Sequence, residues 1–205
     1  MALLGGDLTE FIGLVVGLLV GLTFHEFTHA FLADAFGDHR VRALGRVSLN
    51  PLRHLDPMGT ILLLLVGFGW GKPVPVNEIA LRPPRTAMAM VAAGGPIANM
   101  VVATALAAAY RLLGFSGLGN QEIGVIIGTA VFINVTLAIL NLIPVPPLDG
   151  YNAVLPFVPS RWTWTVRRYA NYGIALIFLL LILPNSPLRA LLELAGPIAR
   201  TLMGI

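Results

Sequence analysis

The run His25-Glu26-Phe27-Thr28-His29 is the part of this sequence best equipped for chemistry. On a helix, residues four apart lie on one face, so the two imidazoles can grip a single ion. Glu26 sits beside them and can take a proton from water polarised by that ion. The chain has no cysteine, which excludes disulfides and thiolate metal sites and leaves His, Asp and Glu as ligands. A catalytic zinc takes three protein ligands and keeps one position open. The remaining histidines, His39 and His54, fall in a polar stretch after the motif. Asp149 is a better third ligand: it follows a proline-broken helix end and precedes Gly150. Spacing alone leaves that assignment level with an ordinary Asp-Gly turn.

The elements that must position these residues are apolar. The chain has 205 residues, of which 57% are hydrophobic and 11% charged, with a mean hydropathy of +0.83. Soluble domains carry about 25% charge. A bilayer is crossed by roughly 20 apolar residues of helix, and full spans are expected over about 8–36, 86–113, 122–142 and 169–183. A fifth apolar segment, 188–205, either spans or lies along the surface. Segment 58–68 is too short to cross. Gly67, Gly69 and Gly71 loosen the backbone after it, and Lys72–Asn77, with Pro73 and Pro75, reads as extended. Part of 40–57 also reads as strand. The expected fold is an all-α polytopic membrane protein with about five transmembrane helices, a short re-entrant segment and a β-like loop near the site. It forms one domain over 1–205, with a core of about 8–150 and C-terminal helices over about 169–205. The N-terminal apolar stretch lacks a basic flank and leads into the motif, so it reads as a retained span and not a cleaved signal.

The formal charge of +3 reflects topology, not nucleic-acid binding, because the basic residues lie in loops. Arg40, Arg42, Arg46, Arg53, Lys72, Arg82 and Arg85 fall between the first and second spans, and Arg161, Arg167 and Arg168 between the third and fourth. The positive-inside rule places both loops in the cytoplasm and the N-terminus outside, provided that 58–68 does not cross. The localisation expected is a multi-pass bacterial or archaeal plasma-membrane protein with its site toward the cytoplasm.

HEFTHA, GGPIANM and NLIPVPPLDG, in that order on three apolar spans, together with GFGWGKPVPVN, resemble the site-2 protease family of intramembrane zinc metalloproteases, in its compact branch without a PDZ domain. The resemblance covers roughly residues 24–150. It implies one zinc ion held by His25, His29 and Asp149, with Glu26 as general base. It also implies a role for Asn141 in holding the substrate or the oxyanion, where a helix-end cap or interhelical bond is the plainer reading. The partners implied are a transmembrane protein or peptide substrate and the lipid bilayer. Gly94, Gly95, Asn99 and Asn134 read as helix packing. His54 and Asp56 read as loop-orienting residues or, less simply, an accessory metal site. The 72–77 segment either covers the site or pairs with an unwound substrate strand.

Two other classes compete. A CAAX-type membrane peptidase also carries HExxH, but its further ligands come from a distant helix, and the LDG segment argues against it. A non-catalytic metal transporter or chaperone would need a polar path through the membrane or would have lost Glu26.

Overall fold

The computed structural model describes residues 7–66, 71–115 and 121–205. Gly67 and Gly69, expected to loosen the chain, and Phe68, at the end of the short apolar segment, lie outside the described residues. The protein is a polytopic all-helical membrane protein, with ten α-helices and no strand among the described residues. Four helical stretches are long and apolar enough to cross a bilayer.

Helix α1 (Leu8–Ala35) starts where the Asp7 side chain accepts from the Thr9 N–H, and its 28 residues reach about 42 Å. Its buried face advances in steps of four: Gly13, Gly17, Gly21, His25, His29. The glycine half of that stripe lets another helix lie against the backbone; a Cβ at Gly17 would stand 2.8 Å from the Ala130 Cα. The same stripe, continued two more steps, turns from packing surface into metal-ligand surface. That is why the imidazoles end up inside the bundle and not in lipid.

Helix α1 is followed by the short α2 (Arg40–Ala43) and then α3 (Pro57–Val66). At ten residues α3 extends about 15 Å, half the roughly 30 Å hydrocarbon core. The chain then returns to where it left: Leu55 and Gly71 form an antiparallel bridge, and the Lys72 N–H donates to the His54 carbonyl at 2.7 Å. Leu55 and Gly71 therefore lie at one level, as the two ends of a re-entrant segment must. The strand content expected over 40–57 and 72–77 reduces to that single bridge. Pro73 and Pro75 lack the N–H groups a ladder requires.

Helices α4 (Pro84–Leu112) and α5 (Gln121–Asn141) complete a three-helix core with α1. Helix α5 stops ahead of three prolines, and a tight passage leads to α6 (Asp149–Val154). Helices α7 (Ser160–Tyr169) and α8 (Gly173–Ile182), joined by one 3-10 turn, make the fourth stretch, Arg161–Ile182. It begins earlier than expected because the amphipathic Arg/Trp segment continues the helix and is not a connection. The fifth segment divides at Leu194 into α9 (Pro187–Glu193) and α10 (Ala195–Met203). Pro197 has no N–H for the Glu193 carbonyl and its ring crowds it, which ends the first piece there. Helix α10 packs on α4 and α5 around Ala103, Ala107, Val131 and Val135.

Candidate metal centre

Two helices, α1 and α6, bring three donor atoms together. Nε2 of His25 and Nε2 of His29 lie 3.0 Å apart. Oδ2 of Asp149 is 3.0 Å from the first and 3.2 Å from the second. Both histidines are buried, each 7% exposed.

The tautomers are set by what the far nitrogens touch. Nδ1 of His29 donates to the Val91 carbonyl at 2.7 Å, which only an N–H can do. Pro96 leaves the Ala92 carbonyl without its helical donor, and in this loosened turn of α4 the neighbouring Val91 carbonyl meets the ring. Nδ1 of His25 donates to Oδ1 of Asn99 at 2.7 Å. The Asn99 amide is itself oriented, since its nitrogen donates to the Gly21 carbonyl and to Oδ1 of Asn134, each at 3.2 Å. Asn134 in turn donates to the Gly17 and Ala130 carbonyls. With both Nδ1 positions protonated, both Nε2 positions carry lone pairs facing each other and a carboxylate oxygen.

Three inward lone pairs about 3 Å apart repel one another unless a cation sits among them. Zinc with arms of about 2.0–2.1 Å in tetrahedral geometry sets its ligand atoms about 3.3 Å apart. The donor set, its spacing and its outer hydrogen bonds all fit that ion. Two glycines make the approach possible. A Cβ at Gly95 would stand 2.5 Å from both His25 Cε1 and His29 Nε2. At Gly150 it would run into the Leu142 and Ile143 carbonyls, so the residue after Asp149 lets α6 fold back against the end of α5.

Relatives extend over most of this chain. "Putative zinc metalloprotease YwhC" of Bacillus subtilis is 37% identical over 176 residues, covering 83% of this chain and 80% of that protein. The chain belongs to the site-2 protease family of zinc metalloproteases. "Putative zinc metalloprotease Rip2" of Mycolicibacterium smegmatis is 34% identical over 179 residues, 85% of this chain and 68% of that one. The protein of the same name from Mycobacterium tuberculosis is 32% identical over 181 residues, with the same two shares. No family model and no solved structure matches the chain. Zinc is the cofactor of this metalloprotease, and the grouping His25–His29–Asp149 is one that could hold it.

Around that group the metalloprotease places the other candidate residues unevenly. Glu26 is buried beside the imidazoles, 8% exposed, and its Oε2 accepts from the Val74 backbone N–H at 3.1 Å. Asn141 lies at the end of α5 and donates to the Leu137 carbonyl of its own helix, with no bond to the metal group. His39 points out and pairs with Asp34. His54 is fully buried and holds the Ser48 carbonyl through Nε2, and Asp56 accepts from the Gly59 N–H at the start of α3. Neither reaches the metal group, and both shape the loop that carries Gly71 and Lys72.

Two residues deserve more weight than their sequence context suggested. Asn99 is a support for a metal-ligand candidate and not only helix packing. The pattern GxxxN, Gly95 to Asn99, puts both on one helical face and was a readable signal. Arg46 is buried at 7% exposure and makes no ion pair among the described residues. Its guanidinium donates to the carbonyls of Arg53 (2.7 Å), Lys72 (3.1 Å) and Pro73 (3.2 Å). Nothing local in the sequence separates it from the other arginines of that loop.

Proposed function

We propose that this protein is an intramembrane endopeptidase, which hydrolyses peptide bonds of transmembrane substrates near the cytoplasmic face. The observation that carries the reading is the closure of the Asp149 carboxylate on the His25–His29 pair, at one end of three membrane-crossing helices. His25, His29 and Asp149 are the zinc ligands in this reading. Zinc bound there supplies Lewis acidity, bringing the pKa of a water toward about 7 and polarising the scissile carbonyl.

The chain's own residues do the rest. Glu26 takes a proton from the attacking water as the new C–O bond forms. It then delivers that proton to the amide nitrogen as the C–N bond breaks. Asn141 has one N–H engaged with Leu137, and the second is left to meet the developing oxyanion. An apolar groove of about 660 Å³ between α1 and α4, passing Phe24, Thr28 and Gly94, supports an apolar substrate.

Transport is the less favoured reading. Beyond Asn134 the core is Ala103, Ala107, Tyr110, Val131 and Val135, and no acid or histidine is buried there among the described residues. The test compares membrane proteomes of cells carrying the wild-type chain and Glu26→Gln. The expected result is a set of fragments ending inside apolar spans, present only with the wild type, while both purified proteins hold zinc. Equal fragment sets would overturn the assignment of Glu26 and of proteolysis at this site.

A further inference from the structure

The segment Lys72–Asn77 reaches the edge of the metal centre at Val74, whose N–H meets Glu26, and its hydrogen bonds define what it can do. Its four N–H groups all have partners. Lys72 donates to His54, Val74 to Glu26, Val76 to the Val74 carbonyl, and Asn77 to Oδ2 of Asp38 at 2.7 Å. Pro73 and Pro75 have none to give. The strap is thus fully committed on its donor side, leaving carbonyls alone for any added strand. One of those four bonds differs from the rest, because it ends on a side chain of the reactive group.

Arg46 fixes the part of the strap from which that bond is made. Its three acceptors include the carbonyls of Lys72 and Pro73, the two residues immediately before the Val74 N–H. A buried guanidinium with only carbonyl partners is costly unless its donors are well aligned, so this anchor is stiff where it is formed. A chain of contacts runs from Arg46, through the Pro73 carbonyl and the rigid peptide plane between Pro73 and Val74, to Oε2 of Glu26.

We infer that Arg46 and the Val74 backbone N–H are positioning elements for Glu26. The amide holds Oε2, which fixes the carboxylate plane and leaves Oε1, reached by no donor among the described residues, facing the water it deprotonates. Without that bond the side chain has rotamers in which neither oxygen points at the water, and displacements of about 1 Å in such groups cost on the order of 100-fold in rate. The effect falls on turnover, since neither residue touches the metal ligands or the groove.

This inference rests on Glu26 being the general base, and the experiment separates the two. A substrate identified by its fragments is cleaved by purified full-length protein in detergent, comparing wild type with Val74→Pro, Arg46→Ala, Arg46→Lys, Glu26→Gln and the exposed Ile79→Ala. Val74→Pro deletes the N–H at a position flanked by two prolines. Expected are a kcat at least about 10-fold lower for Val74→Pro and Arg46→Ala, KM within about 3-fold, and zinc retained. Arg46→Lys recovers part of the loss, and Ile79→Ala matches wild type. Zinc-loaded Val74→Pro turning over at the wild-type rate overturns the inference and leaves Glu26 untouched. If Val74→Pro does not accumulate, a wild-type kcat in zinc-loaded Arg46→Ala overturns it equally. A Glu26→Gln protein that still cleaves would instead remove the base on which the strap is said to act.

Discussion

A single amide decides how one of the metal-ligand candidates presents itself. Asn99 takes the Nδ1 proton of His25, and its own nitrogen is held by Gly21 and Asn134, so it cannot turn round without losing two bonds. Removing such an outer partner from a metal-ligating histidine costs about 10–100-fold in metal affinity. Asn99→Leu keeps the branched shape of the side chain but takes the partner from the His25 Nδ1–H and from Asn134 Oδ1, and is expected to lose zinc at chelator concentrations the wild type survives. Metal analysis after dialysis against graded chelator checks it; wild-type retention would show that the amide is packing alone. The residue scale is also where the sequence was most readable. His25, Glu26 and His29 declare themselves because their geometry is local, one helical turn. Asp149 could not be told from a turn residue on spacing, since its partners are more than a hundred positions away. Asn99 showed only through its spacing from Gly95 and Arg46 not at all, for the same reason: their partners are contributed by other elements.

Between the helices, the loop after α1 acts as the frame on which the strap is hung. Asp38 is 1% exposed and joins both: Arg40 grips it through Nε at 2.8 Å and Nη2 at 3.1 Å, and the Asn77 N–H caps its Oδ2. The Arg40 guanidinium, aided by that N–H, holds the Asp38 carboxyl below its ordinary range despite burial. A depressed carboxyl stabilises the fold above its unfolded value of about 3.9, and the contribution is lost as pH falls through the lower folded value. The expected outcome is that Asp38→Asn lowers the melting temperature from neutral pH down to about pH 5, and that the gap from wild type closes at more acidic pH. Thermal melts in detergent across that range check the sign; a gap that widened in acid would refute the ionic anchor. Element boundaries were legible where apolar runs end on prolines or glycines, as for α1, α4 and α5. They were obscured where an amphipathic helix, α7, runs straight into an apolar one, and where Pro197 divides what composition presents as one segment.

At the scale of the whole molecule, one fact controls the sidedness of the site. Helix α1 contributes its C-terminal half, α4 its N-terminal half and α5 its C-terminal end, so the metal centre lies at one pole of the bundle. The loop carrying Arg40, Arg42, Arg46 and Arg53 leaves from that same pole. Were α3 to cross the bilayer, the strap would emerge on the opposite side and could not meet Glu26. The bridge from Leu55 to Gly71 closes that route, and with it closed the positive-inside rule predicts the cytoplasmic side for this basic pole. Because the chain has no cysteine, single cysteines report the arrangement without background. His39, with its side chain 80% exposed, and Ile79, 81% exposed, flank the re-entrant segment, and Leu113, 66% exposed, marks the far end of α4. In intact bacterial cells a membrane-impermeant maleimide is expected to label Leu113→Cys, and to reach His39→Cys and Ile79→Cys only after permeabilisation. Opposite labelling of the His39 and Ile79 positions would mean that α3 crosses, and the Val74 N–H could then no longer meet Glu26. Labelling of both in intact cells would keep the fold and invert it, placing the hydrolytic pole outside.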